Sequence, residues 1–176
     1  DGVVEAFGGI DIVVNNAGVA ERARFLDTTP EQWKRHIDIG LLGTVNTSKA
    51  ALPRMIAAGR GGRIISIGGD SSRVGEANLS MAAAARAGTI ALIKSLAREF
   101  GRHDITCNAV TLGMIRSAHS DPAWLAENLP KMVKNYPLKR IGQPGDVAPM
   151  IAFLASAEAG WITGQTISVN GGFAML

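Results

Sequence analysis

The sequence predicts one α/β domain spanning residues 1–176, a parallel sheet with helices on both faces. Two observations carry this reading. Short apolar runs rich in β-branched residues alternate with longer segments of helical periodicity, the order of successive strand–helix–strand units. Those runs are apolar almost throughout rather than alternating, as strands covered on both faces require. Length and composition agree. At 176 residues, 47% of them hydrophobic, the chain is long enough to bury a substantial core.

Each element carries a local signal. Residues 1–9 read as the last turns of a helix entering a strand. Residues 10–14, bounded by Gly9 and Asn15, read as a buried strand. Thr29-Pro30-Glu31-Gln32 reads as a helix start. Thr29 can cap, Pro30 suits the first turn, and Gln32 completes a capping box. That helix is expected to run through Trp33, Ile37, Leu41, Val45 and Ala51 to about Ala58, where Gly59 stops it. Further strands are expected over 63–67, 105–110 and 166–169. Helices are expected over 79–100, with Gly101 as its C-cap, over 122–133 and over 144–155. Connections between such parallel strands should be right-handed crossovers.

Composition narrows the function. Lys and Arg exceed Asp and Glu by 18 to 15, and the basic residues are scattered without interleaved aromatics, so nucleic-acid binding is not expected. A single cysteine, Cys107, allows no internal disulfide and suits a reducing compartment. No apolar run reaches membrane-spanning length and no signal-peptide pattern opens the chain, so a cytoplasmic location is the expectation. No His/Cys/Asp/Glu cluster has metal-ligand spacing. His119 with Ser117 and Asp121 lies too close together in sequence for a triad and reads as a polar loop. His36 on a helix and His103 after a helix end read as solvated. Tyr136, the only tyrosine, reads as packing under a loop.

Five ordered blocks carry a resemblance. They are Ile10-Asp11-Ile12-Val13-Val14-Asn15-Asn16-Ala17-Gly18; the run from Gly68 to Glu76 followed by Met81 to Gly88; Lys94-Ser95-Leu96-Ala97-Arg98-Glu99; Ile105-Thr106-Cys107-Asn108-Ala109-Val110; and the pair Gly142 to Ala148 and Ile162 to Gly172. Together they resemble the short-chain dehydrogenase/reductase family, in the branch of oxoacyl reductases and hydroxyacyl dehydrogenases. The resemblance implies a Rossmann-like sheet of which this chain holds the contiguous family strands 4-5-6-7. It also implies an N-terminal half with the dinucleotide-phosphate turn, about 80 residues at roughly 30 per strand–helix–strand unit, that these residues lack. Strand 4 would then present an open edge.

The family's chemistry moves a hydride between a nicotinamide ring and a carbonyl carbon, with a tyrosine supplying the proton and a lysine one helical turn later lowering its pKa. The resemblance places the serine at Gly69, the tyrosine at Ala82, the lysine at Arg86 and the asparagine at Gly40, and none of the four is present. A methyl group cannot donate a proton, so no catalytic residue is expected. Ser71 and Ser72 would replace the missing serine only if the loop were re-routed. Asn16, Ala17 and Gly18 are weak candidates for the nicotinamide-ribose side of a cofactor cleft. The glycine-rich phosphate turn is missing, and Leu112-Gly113 stands where the family has Pro-Gly.

The expected function is an inactive subunit that assembles with, and stabilises, an active NAD(P)-dependent paralogue acting on hydroxyacyl or oxoacyl thioesters. No cofactor is expected on this chain, and NAD(P) on the partner. Contact with that paralogue, or with a second copy, would use the two long helices, where Met81, Ala84, Gly88, Leu92 and Leu96 form an apolar stripe, and the last helix and strand. One alternative is an active NAD(P)-dependent oxidoreductase with unorthodox catalytic residues. Another is a non-catalytic module binding an acyl ligand around Gly69, Ala82 and Met114.

Overall fold

The computed structural model describes residues 2–116, 120 and 122–176. Helix α1 (Gly2–Phe7) leads into β1 (Ile12–Asn15), and α2 (Pro30–Ile37) and α3 (Gly43–Ala58) lead to β2 (Gly62–Gly69). The short α4 (Ser71–Val74) and the long α5 (Ser80–Phe100) precede β3 (Ile105–Leu112). Then α6 (Pro122–Met132) and α7 (Pro144–Ala155) precede β4 (Thr166–Val169). The four strands are parallel in the order β1-β2-β3-β4, as a chain of crossover units requires.

Successive residues of β2 serve opposite faces, the two-residue period of a strand. Ile64 joins Leu52, Met55, Ile93 and Cys107 under α3 and α5, while Ile65 joins Val110, Val147 and Leu154 under α7. Each such side chain contributes about 1.5–3 kcal/mol by leaving water. Burial pushes the Cys107 thiol up to about 12, so it stays a neutral core residue.

Two expectations shift. Strand β1 begins at Ile12 rather than Ile10 and takes in Asn15, whose amide donates to Ser66 Oγ (3.2 Å) while Thr47 Oγ1 donates to its carbonyl (2.6 Å). Among the described residues the strand pairs with β2 alone, and Ile12 and Val14 are exposed along that open edge. The helix expected over 31–58 is interrupted by a π turn at Asp38–Leu42. Gly40 lies in that turn, its carbonyl taken by Thr89 Oγ1 at 2.8 Å, and a Cβ there would sit 3.3 Å from Ala85 Cβ. Close packing of α5 against the turn explains both the glycine and the irregularity. Helix α5 ends at Phe100 with Gly101 as its C-cap, as expected; Gly101 keeps a right-handed backbone, a 3-10 turn runs on to His103, and Asp104 takes the left-handed conformation. Local hydrogen bonding lets Asp adopt that conformation.

Helix α7 starts on a reciprocal cap between Gln143 and Asp146, and Arg140 grips the same carboxylate with both Nη atoms at 2.7 Å. Those charge-assisted bonds, then the Gln143 backbone N–H, hold Asp146 down at about 2. Because the folded value lies below the ordinary one of 3.8, the stabilisation is complete above that ordinary value and is lost as pH falls toward 2. Arg140→Met is expected to flatten the stability profile in that acid window, measured by urea unfolding at stepped pH. An unchanged slope would remove Asp146 as its source.

Candidate functional site

The C-terminal ends of the strands open onto a cleft of about 440 Å³, the place where open α/β sheets bind ligands. Its floor is Gly68, Gly69 and Leu112, and its wall includes Trp124, Met132, Tyr136 and Phe173.

Arg86 dominates the cleft's polar surface. From the second turn of α5 its half-buried side chain reaches across the end of β2. A Cβ at Gly69 would lie 3.1 Å from Nη1, and a Cβ at Gly18 would lie 3.5 Å from Nη2. The guanidinium therefore fills the space that a side chain at Gly69 would take. Among the described residues it makes no hydrogen bond or ion pair. Burial lowers its pKa, the Glu76 carboxylate offsets part of that, and it remains cationic at neutral pH.

The four positions named from the sequence divide into two pairs. Gly69 and Arg86 meet in the cleft. Gly40 and Ala82 lie behind Arg86, around a cavity of about 10 Å³ shared with Ala17, Gly18 and His36. Ala82 is 2% exposed and does not line the main cleft, so the acyl site expected around Gly69, Ala82 and Met114 keeps only Gly69 and Met114. Helix geometry turns a one-carbon side chain at that position into the core.

Other expectations are corrected. His36 is buried rather than solvated. Its Nδ1 meets the Gln32 carbonyl at 2.8 Å, and its Nε2 is buried without a partner among the described residues. It sits against α5, beside Ala82 and Ala85, a neighbour that α2 alone does not reveal. His103 is half-buried, and its Nε2 accepts from Arg102 Nε at 3.2 Å. Ser71 needs no re-routed loop. As the first residue of α4 it turns back over the end of β2, so that its Oγ lies 3.5 Å from a Cβ built on Gly69. Ser72 instead donates to the Gly69 carbonyl at 2.6 Å. Ser117, His119 and Asp121 lie outside the described residues.

Tyr136 is buried and lines the cleft, stacked on Phe173 with centroids 5.2 Å apart. The Met114 N–H donates to its Oη at 2.8 Å. Burial raises the phenol's pKa and Met114 opposes this only in part, so the proton stays on. Two carboxylates border the cleft, and both are engaged. Glu76 pairs with Arg22 at 2.6 Å, and Asp70 accepts from Ser168 and Asn170. Sequence reasoning missed Asp70 and Glu76. A polar residue directly after a strand's C-terminal end was the signal available for Asp70.

A nicotinamide dinucleotide fits these residues in part. Asn16, Ala17 and Gly18 stand exposed at the end of β1 beside Arg86, where they could wall a ribose. Among the described residues no glycine-rich turn joins β1 to a helix N-terminus.

Residues 1–174 match the family model described as enoyl-(acyl carrier protein) reductase. The 3-oxoacyl-(acyl-carrier-protein) reductase FabG of Staphylococcus aureus is 41% identical over 173 residues, which are 98% of this chain and 70% of that protein. This chain belongs to the short-chain dehydrogenase/reductase family. A fungal member of that family from Armillaria gallica is 40% identical, with 97% of this chain and 67% of that protein covered. Acetoin dehydrogenase YohF from Salmonella typhimurium superposes with a TM-score of 0.87 at 31% identity, over 98% of this chain and 68% of that one. The short-chain dehydrogenase/reductase fold thus accounts for the whole sheet. Among the described residues no helix is long and apolar enough to cross a membrane, and no group of three His, Cys, Asp or Glu could hold a metal ion.

Proposed function

We propose that this chain is a non-reducing subunit of the family that assembles with and stabilises an active NAD(P)-dependent relative, the shared substrate class being oxoacyl or hydroxyacyl thioesters. One observation carries the reading. Where the family needs a phenol and an ammonium, there is a buried methyl at Ala82 and a guanidinium, Arg86, laid over Gly69. Neither releases a proton at neutral pH. NAD(P), when bound by the relative, supplies the hydride; the residues of this chain shape the neighbouring surface.

The assembly face is supported by an apolar groove between α3 and α5, lined by Val45, Leu52, Ile56, Leu92, Leu96 and Phe100. Leu92 and Leu96 belong to the stripe expected from the sequence, and Gly88 in that stripe packs against Leu41. The substrate class is supported by the acyl-carrier relatives and by the apolar cleft wall.

The test combines turnover and assembly. The purified chain with NADPH or NADH and a 3-oxoacyl thioester is expected to show no cofactor oxidation. Native mass spectrometry of material from its source is expected to show a mixed assembly with a full dehydrogenase chain. Turnover by the chain alone would overturn the proposal and turn attention to Tyr136, the one phenol in the cleft.

A further inference from the structure

The cleft offers donors and no free acceptor charge. Arg86 presents its N–H fork without a protein partner, and the Ser71 hydroxyl beside it has none either among the described residues. Both approach the same point: Nη1 lies 3.1 Å and Oγ 3.5 Å from a Cβ built on Gly69. Ser71 is 5% exposed, so this donor is held in a mostly dry wall. The carboxylates at the rim make no hydrogen bond to Arg86 or Ser71: Glu76 acts on Arg86 through space while paired with Arg22, and Asp70 accepts from Ser168 and Asn170. Beyond this polar end the walls are apolar: Leu79, Leu112, Trp124, Met132 and Phe173.

We propose that the cleft binds a carboxylate carried on an apolar body, with the carboxylate seated on Arg86 and Ser71 over Gly69 and the hydrocarbon along the Trp124–Phe173 wall. The inference rests on the non-reducing reading, since the head group takes the space a reducing member gives to its reacting carbonyl. Planar guanidinium and planar carboxylate match in two parallel N–H···O bonds, stronger here than in water because the cleft is partly desolvated. Gly69 is then part of the site, because any side chain there would displace the guanidinium. A phosphate head would also satisfy the fork, but the apolar residues that line the rest of the cleft favour a charged group carried on a hydrocarbon.

The experiment compares octanoate with octanamide, which share a tail and differ in charge, by calorimetric titration of the full chain in its native assembly. Octanoate is expected to bind about 10- to 100-fold more tightly, the range for a charge-assisted hydrogen-bonded head. Arg86→Met is expected to weaken octanoate far more than octanamide and so erase that preference. Arg86→Lys should retain part of it, and Ser71→Ala should weaken octanoate alone. Equal affinity for the two probes, no binding of either, or a preference that survives Arg86→Met would overturn the proposal. The wild-type comparison stands by itself if a variant fails to fold. Inorganic phosphate competing as well as octanoate would reassign the site to phosphate. Failure of the subunit reading shows separately, as NADPH oxidation.

Discussion

Replacing Asp70 with alanine is expected to destabilise the protein by about 3 kcal/mol or more, the range for breaking a buried, hydrogen-bonded charge. Asp70 is 1% exposed, immediately after β2. Its Oδ1 accepts from Ser168 Oγ at 3.0 Å, and its Oδ2 accepts from Asn170 Nδ2. Ser168 in turn accepts from Arg73 Nη1 at 2.8 Å and meets Thr111 Oγ1 at 3.0 Å. One carboxylate therefore ties β2, α4, β3 and the segment after β4 into a network at the cleft's edge. Alanine leaves Ser168 and Asn170 facing a gap that cannot take their protons. Asp70→Asn is expected to cost less, about 1 kcal/mol. It keeps one oxygen for Asn170, and the Ser168 hydroxyl can turn. Urea unfolding of both variants decides the matter. Equal losses would put the effect in the charge rather than the bonds, and two neutral variants would show that the network does not hold the sheet end together.

Most of the fold was legible because its signals are local or periodic. The capping box at Thr29 and Gln32, the left-handed Gly59 closing α3, and the bounds of α7 and β4 follow from short stretches of sequence, while the four-strand order followed from the family resemblance. What escaped depends on neighbours far along the chain. The π turn around Gly40 exists because Thr89, 49 residues away, takes its carbonyl and Ala85 presses on it. His36 is buried by α5 and not by anything in α2 that a pattern reveals. Ser71 reaches the Gly69 position because α4 begins at once after the strand, leaving no loop to carry it away.

The positions Gly40, Gly69, Ala82 and Arg86 were legible as departures from a family pattern, but their relation to one another was not. From sequence they are four separate losses. In the fold, Gly69 and Arg86 are complementary, since the guanidinium occupies the volume the missing side chain frees. Ala82 and Gly40 line the small cavity behind it. A guanidinium placed by packing, rather than a lysine merely replaced, is what turns the departure into a statement about ligand charge.

Gly172→Ala tests how firmly the far wall of that cleft is fixed, and it is expected to cost about 2–5 kcal/mol. Gly172 has φ of +87°, a backbone that side chains rarely adopt, which costs about 1–2 kcal/mol. The remainder is overpacking at about 1–3 kcal/mol. An added Cβ would lie 2.6, 2.9 and 3.1 Å from Cγ, Cδ and Cβ of Pro137. A proline ring has no rotamer by which to yield, so the chain itself must shift. That chain includes Tyr136, stacked on Phe173, and Leu138, whose N–H donates to the Gly171 carbonyl at 3.3 Å. Gly59→Ala is the control. It shares a positive φ of +64° but has open space where the Cβ would go, so only the backbone cost applies. Urea unfolding should place Gly172→Ala well below Gly59→Ala, and the octanoate affinity should fall with it as Tyr136 and Phe173 are displaced. Equal stability losses in the two variants would mean that the exposed Pro137 moves aside freely, and that the Tyr136–Phe173 wall is not clamped from behind.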